Sequence, residues 1–218
     1  MQHRFINLTF HGIGVPGRSL HDGEDAVWVS EGRFTSVLDA VAGRDDVRIT
    51  FDDGNISDLE LALPALRERG LTATFFVIAD RLDVPEFLAP KHLLALMDAG
   101  MTIGCHGMRH RPWGTLDADG LQEELVDARR MLESAVGGAV TEAACPFGSY
   151  GRHSLRALER AGYARVYTSD RGPAQPDQWL QARTTITEQG ALEPILNPEL
   201  STSGALRRRL KLTAKRWR

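Results

Sequence analysis

Cysteine is nearly absent from this 218-residue sequence, and long apolar runs are missing from it altogether. The two cysteines, Cys105 and Cys145, do not form a C-x-x-C pair and cannot build a disulfide framework. No stretch approaches the ~18 uninterrupted apolar residues of a membrane-spanning helix, and the opening segment 1–10 is too polar for a secretory signal. These absences predict a cytoplasmic protein that folds without disulfides.

Neither sign of charge dominates the sequence, which has 26 Lys and Arg residues, 29 Asp and Glu residues and a formal net charge of −3. With 42% apolar and 25% charged residues, the composition excludes a disordered or collagen-like chain. The charge is uneven, because residues 201–218 contain seven basic and no acidic side chains. Residues 1–200 therefore carry −10, the difference between −3 and +7. We predict one domain over residues 1–200 and a basic tail over residues 201–218.

The basic tail has an amphipathic pattern, since Leu206, Leu210, Ala214 and Trp217 recur at near-helical spacing among its basic residues. One interpretation is a solvated helix that lies on the preceding domain. The alternative is peripheral contact with an anionic membrane or an acidic protein partner. Binding to nucleic acid is not expected, because the rest of the chain is acidic and does not interleave basic and aromatic residues.

Short apolar runs alternate with helical patterns along the chain, as is typical of βα units around a parallel sheet. No G-x-G-x-x-G motif follows the first strand, which disfavours an open dinucleotide-binding sheet. We predict an irregular (β/α) barrel of about seven parallel strands. The predicted strands cover residues 5–10, 47–51, 72–78, 102–105, 140–145, 163–168 and 184–187.

Candidate functional residues follow five of the predicted strands at the point where each strand ends. Because the carboxyl ends of parallel strands converge on one rim of a barrel, these residues predict a single functional site. The residues concerned are His11, Asp52, Asp53, His106, Pro146, Phe147 and Asp170.

Two of these motifs supply the donors of a metal site. Asp52-Asp53-Gly54 puts two carboxylates at a strand end, although the same tripeptide also makes an ordinary turn. His106-x-x-x-His110 has a spacing that lets two imidazoles face one ion, although two such histidines can also be surface or core residues. Together they offer three ligands and one further carboxylate, which is the donor set of an open catalytic metal site.

With these motifs the sequence resembles the polysaccharide deacetylase superfamily, the chitooligosaccharide deacetylase-like metal-dependent N-deacetylases. Residues 50–54 resemble its first motif, residues 106–110 its second and residues 145–148 a degenerate third. The resemblance covers residues 5–186. It implies a (β/α) barrel and a metal-dependent hydrolase that removes N-acetyl groups from the amino sugars of an oligosaccharide or polysaccharide.

The resemblance also implies a role for each motif residue. Asp53, His106 and His110 would bind the metal, which we expect to be Zn²⁺ or another divalent transition metal. Asp52 would be the general base that activates water. Phe147 would donate its backbone N–H to the tetrahedral oxyanion. The same motif would contact the saccharide substrate through Pro146 and Phe147.

The sequence departs from the family pattern at the group that orients the catalytic base. The third motif normally begins with an arginine, and Ala144 stands in its place. The base must then be oriented from elsewhere, and Arg183, Arg171 and Arg109 are the candidates.

A second departure concerns the general acid, because no histidine follows His153 where the family normally supplies one. We predict that His11 replaces it, since a barrel closes on itself and a strand at one end of the chain can substitute for a strand at the other. Exopolysaccharide deacetylases with a permuted motif order are similar. The alternative is that His11 caps a strand and contacts only the Gly12–Gly17 loop. Asp170 is placed where the family keeps an acidic residue that tunes this histidine.

Two tryptophans are candidates for sugar-stacking walls, Trp113 and Trp179, with core or rim packing as the alternative for each. Two other functions remain open at this point. One is hydrolysis of another non-peptide C–N bond, and the other is carbohydrate binding by a pseudoenzyme, to which Ala144 and the missing late histidine point. The complete Asp-His-His set favours the metal-dependent deacetylase.

Overall fold

Strands and helices alternate through residues 4–198, the part of the chain that the computed structural model describes. The strands are β1 (Ile6–Phe10), β2 (Val47–Asp53), β3 (Ala73–Val77), β4 (Thr102–Cys105), β5 (Glu142–Ala144), β6 (Arg165–Thr168) and β7 (Leu180–Thr185). The helices are α1 (Glu31–Val41), α2 (Leu63–Glu68), α3 (Pro90–Asp98), α4 (Ala118–Leu121), α5 (Ala128–Val136), α6 (Arg152–Arg160) and α7 (Glu193–Leu196). Wide π-helical turns precede α2 at Asp58–Ala62 and α5 at Gln122–Asp127.

The seven strands form a closed barrel in sequence order, and every strand pair is parallel. The barrel closes where β1 pairs with β7, with Leu8 opposite Thr184 and Thr9 opposite Thr185. The predicted (β/α) barrel of seven parallel strands is therefore confirmed. All strands point the same way, so the loops that follow them share one rim.

The two faces of the strands are chemically different. Outward residues such as Leu8, Phe51 and Phe75 belong to the large apolar core beneath the helices, where Phe51 and Phe75 stack with centroids 4.6 Å apart. Inside the barrel a separate small cluster consists of Phe76, Ala144 and Tyr167. Other buried residues on these strands are polar and lie on the inward-facing positions: Asn7, Thr9, Thr50, Gln181 and Arg183.

This polar interior explains why the apolar pattern predicts the seventh strand too late in the sequence. The structure begins β7 at Leu180, whereas the apolar run predicted a strand over residues 184–187. Gln181 and Arg183 interrupt the apolar pattern because their side chains face the interior, where Gln181 accepts a hydrogen bond from Asn7 Nδ2 at 3.2 Å. A strand with a polar inner face does not read as an apolar run.

The helices follow the sequence pattern more closely, with two differences. Leu93, Leu94 and Met97 recur at helical spacing, which predicts a buried face, but Leu94 and Met97 are 45% and 38% exposed, and Leu93 and Leu96 are the buried residues of α3. Helix α1 was not predicted, although Ser30 caps its start by accepting a hydrogen bond from the Arg33 N–H at 3.1 Å.

The predicted basic tail, residues 201–218, lies outside the described residues, so the division at residue 200 stays a prediction. Among residues 4–198, no helix is both long and apolar enough to cross a lipid bilayer.

Candidate metal centre

Two adjacent carboxylates stand at the rim because the chain turns sharply at the end of β2. Asp53 has a φ of 78° and Gly54 a φ of 73°, so two successive residues adopt the left-handed conformation. That conformation is costly for a residue with a Cβ and persists only where the surroundings enforce it. Both Asp52 and Asp53 are buried, at 3% and 4% exposure. The turn therefore presents two desolvated carboxylates at one point of the rim.

The two histidines of the second motif face Asp53 from the loop that follows β4. The Nε2 atoms of His106 and His110 lie 3.6 and 3.4 Å from Asp53 Oδ1. His106 Nδ1 is 2.8 Å from the carbonyl oxygen of Ala144, a bond that requires the proton on Nδ1 and leaves the Nε2 lone pair free. The backbone of His110 lies in the left-handed region, with a φ of 57°.

These three residues fit a transition-metal ion. Each offers one ligand atom, and the three atoms lie within 4.8 Å of one another. Asp53 Oδ1 is buried and has no hydrogen-bond partner among the described residues, as a ligand atom reserved for an ion would be. Two imidazole nitrogens and one carboxylate oxygen suit Zn²⁺ and related divalent ions.

Burial also prepares His110 for ligation. Removal from water and the neighbouring His106 lower the pKa of His110 to about 4, although Asp53 acts in the opposite direction. An imidazole with this pKa is neutral at pH 7, and only the neutral form can bind a metal.

Arg183 is the arginine that contacts Asp52. Its Nη1 and Nη2 atoms donate to Asp52 Oδ1 and Oδ2 at 2.6 and 2.7 Å, and its side chain is 1% exposed. Burial by itself would raise the pKa of Asp52, but Arg183, aided by His106 and His11, keeps that pKa well below its ordinary range. Asp52 is therefore ionised and fixed in orientation.

The other two candidate arginines have different surroundings. Arg109 has a side chain that is 62% exposed, and it pairs with Asp80 and Glu123. Arg171 is exposed and donates its backbone N–H to the carbonyl of Arg183. Neither of them forms an ion pair with Asp52.

His11 reaches the same site from the end of β1. Its Nε2 lies 4.0 Å from Asp52 Oδ2, and its side chain is 18% exposed. The following loop is packed tightly, since a Cβ at Gly12 would lie 2.2 Å from the Trp28 ring. Asp170 accepts hydrogen bonds from Tyr150 and Thr168, whereas the buried Nδ1 of His11 has no partner among residues 4–198.

Phe147 follows β5 and stands over His110. Its ring centroid lies 4.4 Å from that of His110, its φ is 56°, and its side chain is 70% exposed. Pro146 beside it is buried, so only Phe147 of this predicted pair offers an accessible side chain.

The predicted role of the two tryptophans as sugar-stacking walls is wrong. Trp113 is 0% exposed, because its indole is part of the apolar core and its Nε1 donates to Glu124 at 3.4 Å. Trp179 immediately precedes β7 and donates to the carbonyl of Tyr163, just before β6. It therefore lies at the amino ends of the strands, opposite the rim that carries the site.

Sequence reasoning missed two buried acidic residues near this site. Glu124 is 0% exposed and lies on the same helical face as Leu121 and Leu125. A charged residue beside two apolar residues at helical spacing was the signal in the sequence. Asp58 is equally buried, and neither of its carboxylate oxygens has a partner among the described residues. Burial, followed by Asp53 and Asp52, raises the pKa of Asp58 well above its ordinary value.

We expect His106→Ala and His110→Ala to remove the bound ion while the fold persists, because the apolar core lies on the other face of the strands. Elemental analysis of purified variants measures the metal, and the exposed His21 supplies the control His21→Ala. Stoichiometric metal in the double variant His106→Ala/His110→Ala would contradict the assignment.

The metal-free protein should lose stability in acid through His110. The pKa of an ordinary histidine is 6.5, and that of His110 in the folded protein is about 4. Between these pH values the unfolded chain binds more protons than the folded one, so the free energy of unfolding falls as the pH falls. The whole pKa shift corresponds to a loss of roughly 3 kcal/mol at most in the free energy of unfolding. Urea unfolding in chelator at pH 4.5 and 7 should show this loss in the wild type and a smaller one in His110→Gln. Equal losses would contradict it.

Comparison with known proteins identifies the family of this chain. The family model described as polysaccharide deacetylase matches residues 40–166, which include Asp52, Asp53, His106 and His110. The YxkH protein of Bacillus subtilis (strain 168) is 27% identical over 164 residues, which make up 75% of this chain and 59% of YxkH. The chain thus spans about 59% of the length of this curated relative.

Solved structures show the same barrel. The Streptococcus pyogenes deacetylase PplD is similar with a TM-score of 0.76 and 20% identity, over 90% of this chain and 98% of PplD. IcaB from Ammonifex degensii has a TM-score of 0.71 and 19% identity, over 91% of this chain and 96% of IcaB. At these identities the likeness establishes the fold. Since the family model covers more than half of the sequence, the chain belongs to the polysaccharide deacetylase family.

Proposed function

We propose that this protein is a metal-dependent hydrolase that removes N-acetyl groups from amino sugars of an oligosaccharide or polysaccharide. The observation that carries the proposal is the geometry at the rim. Asp53, His106 and His110 offer three converging ligand atoms, and Asp52, held by Arg183, stands beside them. This is the donor set of a catalytic metal site with a neighbouring base.

When bound, a divalent ion such as Zn²⁺ would acidify a water molecule and polarise the acetamide carbonyl. Asp52 accepts the proton of the attacking water through Oδ2, which lies 3.8 Å from His106 Nε2. The two hydrogen bonds from Arg183 keep this carboxylate ionised and aimed at the rim. His106 is itself held by the Ala144 carbonyl.

Phe147 contributes in two ways. Its backbone N–H donates to the oxyanion that develops on the former carbonyl oxygen, a role that does not depend on the side chain. Its exposed ring offers an apolar surface beside His110 against which one face of a sugar ring can pack.

His11 is the general acid in this proposal. The leaving amine needs a proton as its C–N bond breaks, and His11 Nε2 faces the base from 4.0 Å. Asp170 does not hydrogen-bond the buried Nδ1 of His11, so any tuning of His11 by Asp170 acts through other groups.

The geometry also bears on the two alternative functions. A carbohydrate-binding pseudoenzyme is favoured by Ala144 and by the lack of a late histidine. Arg183 contacts Asp52 and His11 lies within 4.0 Å of it, which supports an active enzyme. Hydrolysis of another non-peptide C–N bond would use the same residues, so substrate tests must separate it from N-deacetylation.

The metal-loaded protein should release acetate from N-acetylated glucosamine oligosaccharides. Substitutions of the two adjacent aspartates should differ in their effect on metal binding. Asp52→Asn should retain the metal and lose about 10²- to 10⁴-fold in rate, because it removes the base. Asp53→Asn should weaken metal binding as well, because it removes a ligand. Acetate release and elemental analysis on the same samples measure both properties.

Two outcomes of this experiment would contradict the proposal. Metal-loaded wild type that binds the oligosaccharides and releases no acetate would favour the pseudoenzyme. Equal activity losses in Asp52→Asn and Asp53→Asn, with full metal in both, would refute the division of roles.

His11→Ala should keep its metal and lose about 10²-fold or more in rate. The alkaline limb of the pH–rate profile should disappear with it, because that limb reports deprotonation of the acid. The profile of kcat/KM between pH 5 and 10 is the measurement. A His11→Ala enzyme with near-normal activity would return the role of acid to Asp170 or to water.

A further inference from the structure

Glu124 is a buried carboxylate that the proposed chemistry does not use. It lies in the π-helical segment Gln122–Asp127 and is 0% exposed. Its neighbour Glu123 is different, with a side chain that is 30% exposed and pairs with the guanidinium groups of Arg109 and Arg111. An ionisable group buried this completely is costly unless its hydrogen bonds are satisfied.

The donors that satisfy Glu124 come from the loop that carries His110. Oε1 accepts the backbone N–H of Arg109 at 2.9 Å and the Nε–H of Arg111 at 3.0 Å. Oε2 accepts the backbone N–H of Met108 at 3.1 Å and the indole N–H of Trp113 at 3.4 Å. A carboxylate offers about four lone-pair sites, so Glu124 is saturated by one short segment.

This segment needs an external anchor because its backbone is unfavourable. His110 has a φ of 57°, which is costly for a residue with a Cβ, whereas the φ of 88° at Gly107 is open to glycine. A non-glycine residue in the left-handed region costs roughly 1–3 kcal/mol and is kept there only by its surroundings. A Cβ at Gly107 would lie 2.2 Å from Glu124 Oε2, so the carboxylate packs directly against the loop.

Two backbone hydrogen bonds hold the opposite side of the segment. Ala79 N–H donates to the Gly107 carbonyl at 2.9 Å, and Asp80 N–H donates to the Met108 carbonyl at 3.1 Å. The loop between the two metal-binding histidines is thus clamped between the end of β3 and Glu124.

We propose that Glu124 is a positioning residue for the metal site, which fixes the loop so that His110 Nε2 faces Asp53 before any ion binds. This inference rests on the proposed metal site and assigns a residue that contacts neither ion nor substrate. The site needs a carboxylate, in which both oxygens accept hydrogen bonds. Glutamine cannot replace it, because its amide nitrogen is a donor and would face two N–H donors. Residues that hold metal ligands in place commonly account for 10- to 100-fold in metal affinity.

The test compares Glu124→Gln with Glu123→Gln by competition for Zn²⁺ against a chelator of known affinity. Glu124→Gln should bind the ion about 10- to 100-fold more weakly. Glu123→Gln should keep the wild-type affinity, because Glu123 bonds side chains at the surface. Circular dichroism of the metal-free variants reports whether each is folded. A folded Glu124→Gln protein with wild-type affinity would overturn the proposal.

A second measurement uses only the wild type and so does not depend on a variant folding. Hydrogen exchange of the metal-free protein should show the amides of Met108 and Arg109 protected, because Glu124 binds them without the ion. Amides that become protected only when Zn²⁺ is added would overturn the proposal. Affinity and exchange are independent of turnover, so wild type that binds no Zn²⁺ would instead refute the proposed function.

Discussion

The ion pair between Arg183 and Asp52 lies inside the barrel, where both side chains are almost completely withdrawn from water. Removing one partner of such a pair leaves a buried charge uncompensated, typically at a cost of about 3–5 kcal/mol. The strand β7, which closes the barrel, and Asp52, which stands at its rim, therefore depend on each other. This coupling explains why the interior is polar: a charged pair needs the hydroxyl of Thr50, which accepts from Arg183 at 3.1 Å.

Ala144 and Arg183 are two parts of one arrangement. Ala144 has a side chain too small to reach Asp52, and it packs with Phe76 and Tyr167. The Arg183 guanidinium carbon stands 5.1 and 5.8 Å from the centres of those two rings. Aromatic faces attract a cation at these distances, so the rings beside the small residue also support the arginine that arrives from β7. In this chain the positive charge that contacts Asp52 comes from β7.

Sequence patterns predicted most of the barrel because apolar runs mark strands whose outer face is buried, and the motif residues at their ends converge as parallel strands require. The patterns failed where polar residues face inward, as at Gln181 in β7. They could not choose among three arginines, since that choice depends on which side chain crosses the interior. They also could not show which tryptophans are buried, because Trp113 packs in an apolar core built from many parts of the chain.

The seam between β1 and β7 sets an order of events during synthesis. Asn7 pairs with Arg183, 176 positions later in the chain, and His11 stands just beyond that pairing. At 5–20 residues per second, β7 leaves the ribosome roughly 10 to 35 s after β1. The three candidate metal ligands are complete well before Arg183 is made. A nascent or truncated chain would thus contain the three candidate ligands without the arginine that orients Asp52, and the proposed hydrolysis would need the last strand to close the ring.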